Sequence, residues 1–357
     1  VTVAAGLVPV RIDYFEKDIT AQMRFGWRRN GADEVLAAPT LKTYGLTSGT
    51  SSPKPPYQNP VVPRNCPDPG VVKAGPARYY MLCTGGKFPL WTSRDLVFWK
   101  KTGDVVLPDG KPAWADNGRR NWAPEIHKVK DRWIVYYTTV NANDVLSIGA
   151  AYSDKPTGPF IDRGSPLVQH PKGVIDANYF ADDDGRHYLT YKIDGNAYGD
   201  PTPIYIRELK AGGLGFKDGS TAKQILVNNS ATWEGGVVEA QWLVKRDGKY
   251  YLFYSGNVYD ARYRTGVARA TSVMGPYTKH GDPILRNNSR WVGPGHGSVV
   301  AIGEQDYFVY HAWPAAASGA EDRNQGRHVL LQRIEWENGW PKIGSGTPAT
   351  GLLAWPQ

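Results

Sequence analysis

Apolar and polar positions along the chain recur in five similar units. Each unit has an apolar segment, a short polar turn and then a second apolar segment rich in aromatic residues. Short apolar segments bounded by turn residues are typical of paired β-strands. In chain order the units read PGVVKAGPARYYMLC, PEIHKVKDRWIVYY, ANYFADDDGRHYLTY, AQWLVKRDGKYYLFY and SVVAIGEQDYFVYHAW.

The spacing of the units predicts the fold. Alignment on the turns places one residue of each unit at a common position, 53 to 63 residues apart: Cys83, Tyr136, Tyr191, Tyr254 and Tyr310. This period is typical of a propeller blade with long loops. We therefore predict an all-β chain that folds as a five-bladed β-propeller with a short N-terminal β extension. A β-sandwich is the alternative, although it would not need five similar units.

Three segments are predicted along the chain. Residues 1–38 do not fit the blade repeat and resemble the closing strands of a protective-antigen-type domain, which makes them the tail of an accessory β domain. An extra pair of strands packed on the propeller is the alternative. Residues 39–56 contain SGTSSPKPP and read as a linker, and residues 57–357 form the propeller.

Composition and charge exclude several classes of protein. The chain has 40 Gly, 27 Pro, 13 Trp and 21 Tyr, which favours short strands and turns over helices. The net charge of +8 is scattered among acidic residues without a basic run, so we expect no nucleic-acid partner. No apolar stretch approaches a membrane span, and the first residues lack the layout of a signal peptide, so any such peptide was removed or never existed.

Polar residues recur at the start of the five units. Counting back fourteen or fifteen residues from the aligned positions gives Asp68, Asn121, Asp176, Glu239 and His296. Innermost strands line the central channel of a propeller, so these side chains are expected to converge near one axis. Three carboxyl groups in one cavity repel one another, and their pKa values separate. Hydrolysis of a glycosidic bond needs that difference, because one carboxyl group must be protonated and another ionised.

The order of motifs resembles glycoside hydrolase family 43. The motifs are NPVVPRNCPDPGVV, NWAPEI, VIDANYF, VVEAQWLVKRDGKYYLFYSGN, GPGHGSVV and GRHVLLQRIEWENGWP, between about Tyr57 and Pro341. The resemblance implies a five-bladed propeller that cleaves furanosides or xylosides with inversion at the anomeric carbon.

The same resemblance implies the role of each carboxyl group. Asp68 is the expected general base, Glu239 the general acid, and Asp176 the residue that tunes the pKa of the acid. Many family members have Glu-Gly-Pro where this chain has Glu239-Ala240-Gln241, which leaves the loop behind the acid in question. Glu234 is the rival acid, although it lies outside the repeat register.

The family resemblance also suggests residues that support the carboxyl groups, although on weaker grounds. His296 in GPGHGS and Arg327 in GRHV resemble family residues near the sugar, while Asn121 and Trp122 head the second unit and are expected to line the pocket. Structural or surface roles are the alternatives for these residues. No cofactor is expected to be required, but the resemblance allows a Ca²⁺ or Na⁺ ion in the channel, with His296 as a direct or indirect ligand. Sugar stacking by Trp114 or Phe88 is a further possibility.

Cys66 and Cys83 lie near the ends of the first predicted hairpin. In a secreted protein they are expected to form a disulfide bond beside Asp68, and the alternative is a pair of buried thiols. We expect a secreted monomer.

The predicted activity is that of an inverting, exo-acting α-L-arabinofuranosidase on arabinan or arabinoxylan. The long loops at residues 103–120 and 195–203 are able to wall a pocket, but they also fit an open groove. Endo-arabinanase, β-xylosidase and galactofuranosidase activities therefore remain as alternatives. A non-catalytic carbohydrate-binding propeller is an alternative from another class, although it gives no reason for three carboxyl groups at inner positions. An inverting enzyme should hold its base and acid roughly 6.5 to 9.5 Å apart.

Overall fold

The computed structural model describes residues 26–29, 32–35 and 56–356. The chain divides into two units, residues 1–54 and residues 55–357. In the first unit, strands β1 (Gly26–Arg29) and β2 (Ala32–Val35) pair in antiparallel register. Apart from these strands and Pro56, the predicted accessory tail (1–38) and linker (39–56) lie outside the described residues.

The second unit is a five-bladed β-propeller, which confirms the predicted fold class. Strand β3 (Tyr57–Gln58) precedes the blades, and each blade is an antiparallel sheet of four consecutive strands. Blade 1 contains β4 (Gly70–Gly75), β5 (Arg78–Leu82), β6 (Pro89–Ser93) and β7 (Trp99–Val105), and blade 2 contains β8 (Trp122–Val129), β9 (Arg132–Val140), β10 (Leu146–Ser153) and β11 (Ile161–Asp162). Blade 3 contains β12 (Val174–Ala181), β13 (His187–Ile193), β14 (Ile204–Leu209) and β15 (Lys223–Leu226). Blade 4 contains β16 (Val238–Arg246), β17 (Lys249–Gly256), β18 (Arg264–Ala270) and β19 (Thr278–Lys279), and blade 5 contains β20 (Trp291–Ile302), β21 (Gln305–Pro314), β22 (His328–Glu337) and β23 (Trp340–Ile343).

The first strand of each blade is the innermost one. Each of these strands contacts the first strand of the next blade, and β20 contacts β4, so the five strands form a closed ring. The helical element described in residues 56–356 is one short 3₁₀ turn at Gly195–Tyr198, between β13 and β14. The predicted preference for strands and turns is therefore confirmed.

Aromatic and aliphatic side chains fill the spaces between blades. Tyr136 of blade 2 stacks on Tyr179 of blade 3 with ring centroids 6.0 Å apart, and Phe253 of blade 4 stacks on Phe308 of blade 5 at 5.7 Å. These rings belong to apolar clusters that each join two neighbouring blades. These aromatic residues therefore stabilise the contacts between blades.

The two ends of the propeller chain meet beside blade 5. Strand β3 pairs with β24 (Leu352–Leu353), and Val62 forms a bridge with Val329 of β22. The Tyr57 hydroxyl donates a hydrogen bond of 2.9 Å to the carbonyl oxygen of Leu331. These contacts attach the segment before blade 1 to the last blade.

Each innermost strand has a residue with left-handed backbone conformation, either in its first half or, in blade 1, two residues before it. The five residues are Asp68 (φ 56°), Ala123 (φ 41°), Asp176 (φ 56°), Ala240 (φ 58°) and His296 (φ 43°). In blades 2 to 5 this residue lies in a β-bulge, where two residues oppose one on the second strand. Bulges of this kind turn a side chain out of the ladder, and strained backbone often marks a functional site.

The bulges correct the predicted repeat register. Glu239 precedes the bulge residue Ala240 by one position, so it is equivalent to Ile175 rather than to Asp176. The difference arises because the first hairpin of blade 3 pairs four residues of each strand around a five-residue turn (182–186), whereas that of blade 4 pairs five around a two-residue turn. The path from the bulge to the aligned tyrosine is therefore one residue shorter in blade 4. A fixed count from the second strand therefore reaches different positions in the two blades.

Candidate active site

One cavity opens where the innermost strands begin. Its volume is about 210 Å³. It brings together the three predicted carboxyl groups, Asp68 from blade 1, Asp176 from blade 3 and Glu239 from blade 4. The other residues that line it are Thr84, Trp122, Ala123, Ile175, Asp194, Asn196, Val237, Val258, Tyr259, Tyr263, His296 and Arg327.

Asp68 is held rigidly at the end of the segment that leads into blade 1. Pro67 and Pro69 restrict the backbone on either side of it. A Cβ atom on Gly70 would lie 2.3 Å from the carbonyl oxygen of Pro124, so only glycine lets blade 1 approach blade 2 this closely. A disulfide bond between Cys66 and Cys83 closes the same region, as the sequence suggested.

The carboxyl group of Asp68 is surrounded by donors and positive charge. Arg327 donates a hydrogen bond of 2.8 Å to Oδ1, and Nδ1 of His296 lies 3.2 Å from the same oxygen. The Thr84 hydroxyl donates to Oδ2 at 2.5 Å. Burial alone would raise the pKa of Asp68, but Arg327, His296 and His311 hold it well below its usual range. Asp68 is therefore ionised at neutral pH, as a general base requires.

Asp176 has the opposite protonation behaviour. Its Oδ2 accepts one hydrogen bond of 2.8 Å, from the backbone N–H of Ala240. Burial raises the pKa of Asp176 to about 7, and the negative charges of Glu239 and Asp68 add to this effect against the opposing charges of His296 and Lys192. Asp176 therefore holds a proton over much of the range below neutral pH.

Glu239 is fixed by two donors. The ammonium group of Lys192 lies 2.9 Å from Oε2, and the Tyr263 hydroxyl donates to Oε1 at 2.9 Å. Both side chains are fully buried at 0% exposure. The orientation of the Glu239 carboxyl group is thus set by the protein before a ligand arrives.

Three of the other predicted site residues also line the cavity. Arg327 and His296 contact Asp68, and Arg327 lies over the ring of Tyr259 at 5.0 Å. The half-buried ring of Trp122 forms part of the wall beside blade 2. These positions place an aromatic face and cationic groups where a sugar would enter.

Asn121 does not reach the cavity, so its predicted contact with substrate is wrong. Its side-chain amide donates to the carbonyl oxygens of Gly86 and Gly110 at 2.6 and 2.7 Å, and its oxygen accepts from Thr139 at 2.7 Å. The bulge residue of blade 2 is Ala123, two positions later. Asn121 is a structural residue that secures the loop before blade 2.

Glu234, Phe88 and Trp114 also lie outside the cavity lining. Glu234 pairs with Lys279 at 2.6 Å and accepts a hydrogen bond from Tyr254. Phe88 is fully buried, and the indole N–H of Trp114 donates to Asp162 at 3.1 Å. None of the three is placed to act as a rival acid or as a sugar platform.

The sequence analysis missed three residues that shape the site, namely Lys192, Tyr263 and His311. A lysine within the apolar strand YLTYKI was a usable signal, because a charged residue in a buried strand needs a partner. Burial and the charge of Arg327 lower the pKa of His311 to about 4, so its neutral ring accepts a hydrogen bond of 3.1 Å from the backbone N–H of Asp68.

A resident cation does not fit the side chains around His296. Among residues 56–356, no group of three or more His, Cys, Asp and Glu side chains could hold a metal ion. The imidazole of His296 is directed to Asp68 at 3.2 Å instead. The mechanism below therefore includes no step through a metal.

The propeller and its carboxyl groups define a class of protein, the glycoside hydrolases. The chain belongs to one of their families: the model of Glycosyl hydrolases family 43 matches residues 57–341. A "Probable arabinan endo-1,5-alpha-L-arabinosidase C" of Aspergillus clavatus is 28% identical over 77% of this chain and 91% of the relative.

Two further comparisons agree with the family. The extracellular exo-α-(1→5)-L-arabinofuranosidase ArbA of Cellvibrio japonicus is 25% identical over 77% of this chain and 85% of the relative. The crystal structure of a thermostable family-43 glycoside hydrolase superimposes with a TM-score of 0.74 at 30% identity, covering 84% of this chain and 99% of that structure. The predicted family and enzyme class are thereby confirmed.

Proposed function

We propose that the protein is an inverting, exo-acting α-L-arabinofuranosidase. The observation that carries this proposal is that three carboxyl groups with contrasting environments meet in one small cavity. Asp68 is held ionised by Arg327, whereas Asp176 retains a proton near neutral pH. Inverting hydrolysis requires an ionised base and a separate proton donor in one cavity, and Asp68 and Glu239 are the candidates for these two roles.

In the proposed mechanism, Asp68 removes a proton from a water molecule on one face of the anomeric carbon. Glu239 protonates the departing oxygen on the other face. The negative charge of Glu239 is one of the causes that raise the pKa of Asp176, so the two carboxyl groups are electrostatically coupled. The proton must lie on Glu239 when the bond breaks.

The dimensions of the cavity support exo action. Its volume of about 210 Å³ is below the roughly 300 Å³ at which pockets for drug-sized ligands begin. A cavity of this size favours one terminal sugar over a bound stretch of polymer. Exo-acting relatives such as the Cellvibrio enzyme agree with this proposal, while the endo-arabinosidase relative supplies the competing one.

A product analysis tests the proposal. Debranched arabinan should give arabinose alone from the first minutes, and proton NMR should show the product with inverted anomeric configuration. Early release of arabino-oligosaccharides would assign endo action instead. Faster cleavage of an aryl xyloside or galactofuranoside than of the aryl arabinofuranoside would reject the proposed sugar.

We also propose that the protein is secreted. The Cys66–Cys83 bond supports this, because structural disulfides persist mainly in oxidising compartments. Several relatives are named extracellular. Detection of the bonded peptide pair in protein from the native host's culture medium would support secretion, whereas enzyme confined to the cell fraction would contradict it.

A further inference from the structure

The joints between neighbouring blades follow one hydrogen-bonding pattern. At a joint, the backbone N–H of the left-handed residue of one blade donates to a polar side chain on, or just after, the second strand of the preceding blade. Four joints of the described ring have this bond: Ala123 to Thr84 at 2.7 Å, Asp176 to Thr138 at 3.3 Å, His296 to Ser255 at 2.9 Å, and Asp68 to His311 at 3.1 Å. Each second-strand side chain acts as an acceptor.

The joint between blades 3 and 4 breaks this pattern. The equivalent second-strand position is Lys192, which lies opposite Ile175 in the ladder as Thr138 lies opposite Trp122. A lysine ammonium group has three donors and no acceptor. The N–H of Ala240 donates instead to the carboxyl group of Asp176, at 2.8 Å.

All three N–H groups of the Lys192 ammonium donate hydrogen bonds within the site. Its Nζ lies 2.8 Å from Asp194 Oδ1, 2.8 Å from Asn196 Oδ1 and 2.9 Å from Glu239 Oε2. The side chain is 0% exposed. Burial alone would lower the pKa of Lys192, but Glu239, Asp194 and Asp176 raise it above its usual value, so the group is a cation.

The joint itself does not require this cation. A threonine suffices at the same place in blades 1 and 2. A buried charge carries a desolvation penalty that a hydroxyl avoids, so the lysine needs another reason. Its ammonium group contacts the proposed proton donor directly, and no other cation does so among the described residues.

We infer that Lys192 is a positioning residue that fixes the Glu239 carboxyl group and sets the upper pH limit at which Glu239 acts as an acid. This inference rests on the proposed function in taking Glu239 as the proton donor. The positive charge favours the ionised form of Glu239, so less of the enzyme carries the required proton as the pH rises. The other ionisable groups around the cavity are Asp68, Asp176, Asp194, Tyr259, Tyr263, His296 and Arg327.

A titration of Glu239 tests the coupling without any substrate. The protein is labelled with ¹³C at the Glu side-chain carboxyl carbons, and the Glu239 signal is assigned by its loss in Glu239→Gln. In Lys192→Met, removal of a charge in direct contact should raise the titration midpoint of Glu239 by about 1 to 3 pH units. An unchanged midpoint in a folded variant would overturn the inference.

Two further variants keep this test decisive. Lys192→Met leaves Asp194 without its cation, which could prevent folding. In that case the double variant Lys192→Met/Asp194→Asn is titrated instead, because it removes both charges of the pair. Thr138→Val is the matched control, because it removes the acceptor of a neighbouring joint without changing charge. Its Glu239 midpoint should remain that of the wild type, and an equal rise in this control would mean that loosening any joint has the same effect.

The pH dependence of kcat/KM provides the functional readout. The substrate is an aryl furanoside with a poor leaving group, since such a bond depends on the acid. The alkaline limb should move to higher pH in Lys192→Met, whereas a purely structural defect would lower the rate without moving the limb. Full activity of Glu239→Gln would reject the proposed function, while the substrate-free titration would still decide whether Lys192 controls Glu239.

Discussion

Replacing Asp176 by Asn should stabilise the protein while abolishing its activity. Asn has nearly the same shape, and its side-chain oxygen can still accept the hydrogen bond from Ala240. The buried carboxyl group has a pKa of about 7 in the folded protein, whereas an unperturbed aspartate side chain has a pKa of 3.8. Ionisation of Asp176 therefore opposes folding, and the substitution removes this penalty.

The magnitude follows from proton linkage. A carboxyl group whose pKa is raised by folding binds more protons in the folded state, so stability is lost as the pH rises towards the folded pKa. Each pKa unit between the folded and the unfolded value corresponds to about 1.4 kcal/mol in the free energy of unfolding. The stability gained by Asp176→Asn should therefore be larger at pH 8 than at pH 5, by about 2 to 3 kcal/mol.

Urea unfolding followed by tryptophan fluorescence at pH 5, 6, 7 and 8 measures this difference. Asp182→Asn is the matched control, because hydrogen bonds from Lys245 and Tyr250 lower the pKa of Asp182 despite its burial. Asp182 is ionised in both states above pH 5, so its substitution should cost the same stability throughout. A gain for Asp176→Asn that is independent of pH, or larger at pH 5, would refute the reasoning.

Further predictions concern the base, the acid and the disulfide. Asp68→Asn and Glu239→Gln should each lower kcat by about 10² to 10⁴ while circular dichroism still shows the folded protein, and near-normal turnover in either would reject its role. Arg327→Gln should raise the pKa of Asp68 and move the acidic limb of kcat/KM to higher pH; a lower rate with an unmoved limb would contradict this. Replacing both Cys66 and Cys83 by Ala should reduce the free energy of unfolding by about 3 kcal/mol in a urea titration, given a 17-residue separation, and no loss would show that the proline-bounded segment is rigid without the bond.

The fold could be predicted from the sequence because the repeat is local. Each unit carries its own turn and its own aromatic strand, so alignment needed no knowledge of contacts between blades. Asp68 and Asp176 were found in the same way, since both are the left-handed residue of their blades. Asn121 was assigned to the cavity wrongly, because turns and bulges of unequal length shift a fixed count by one or two residues.

The remaining site residues depend on contacts between blades, which a linear repeat does not reveal. Tyr263 is the exception, because it contacts Glu239 of its own blade from the loop between β17 and β18. His311 and Arg327 come from blade 5, although they act on Asp68 in the first blade. Their roles follow from closure of the ring, and chain order gives no indication of them.

Within the described chain, no helix is long and apolar enough to cross a membrane.

Closure of the ring also has a consequence for the nascent chain. The base lies ahead of the first blade, whereas Arg327, His296 and His311 are synthesised more than 200 residues later. Until the last blade docks, Asp68 lacks the Arg327 cation and the contacts with His296 and His311 that keep it ionised once buried. An unfinished or C-terminally truncated polypeptide is therefore unable to hydrolyse sugars, and catalytic competence appears only when the final blade has been added.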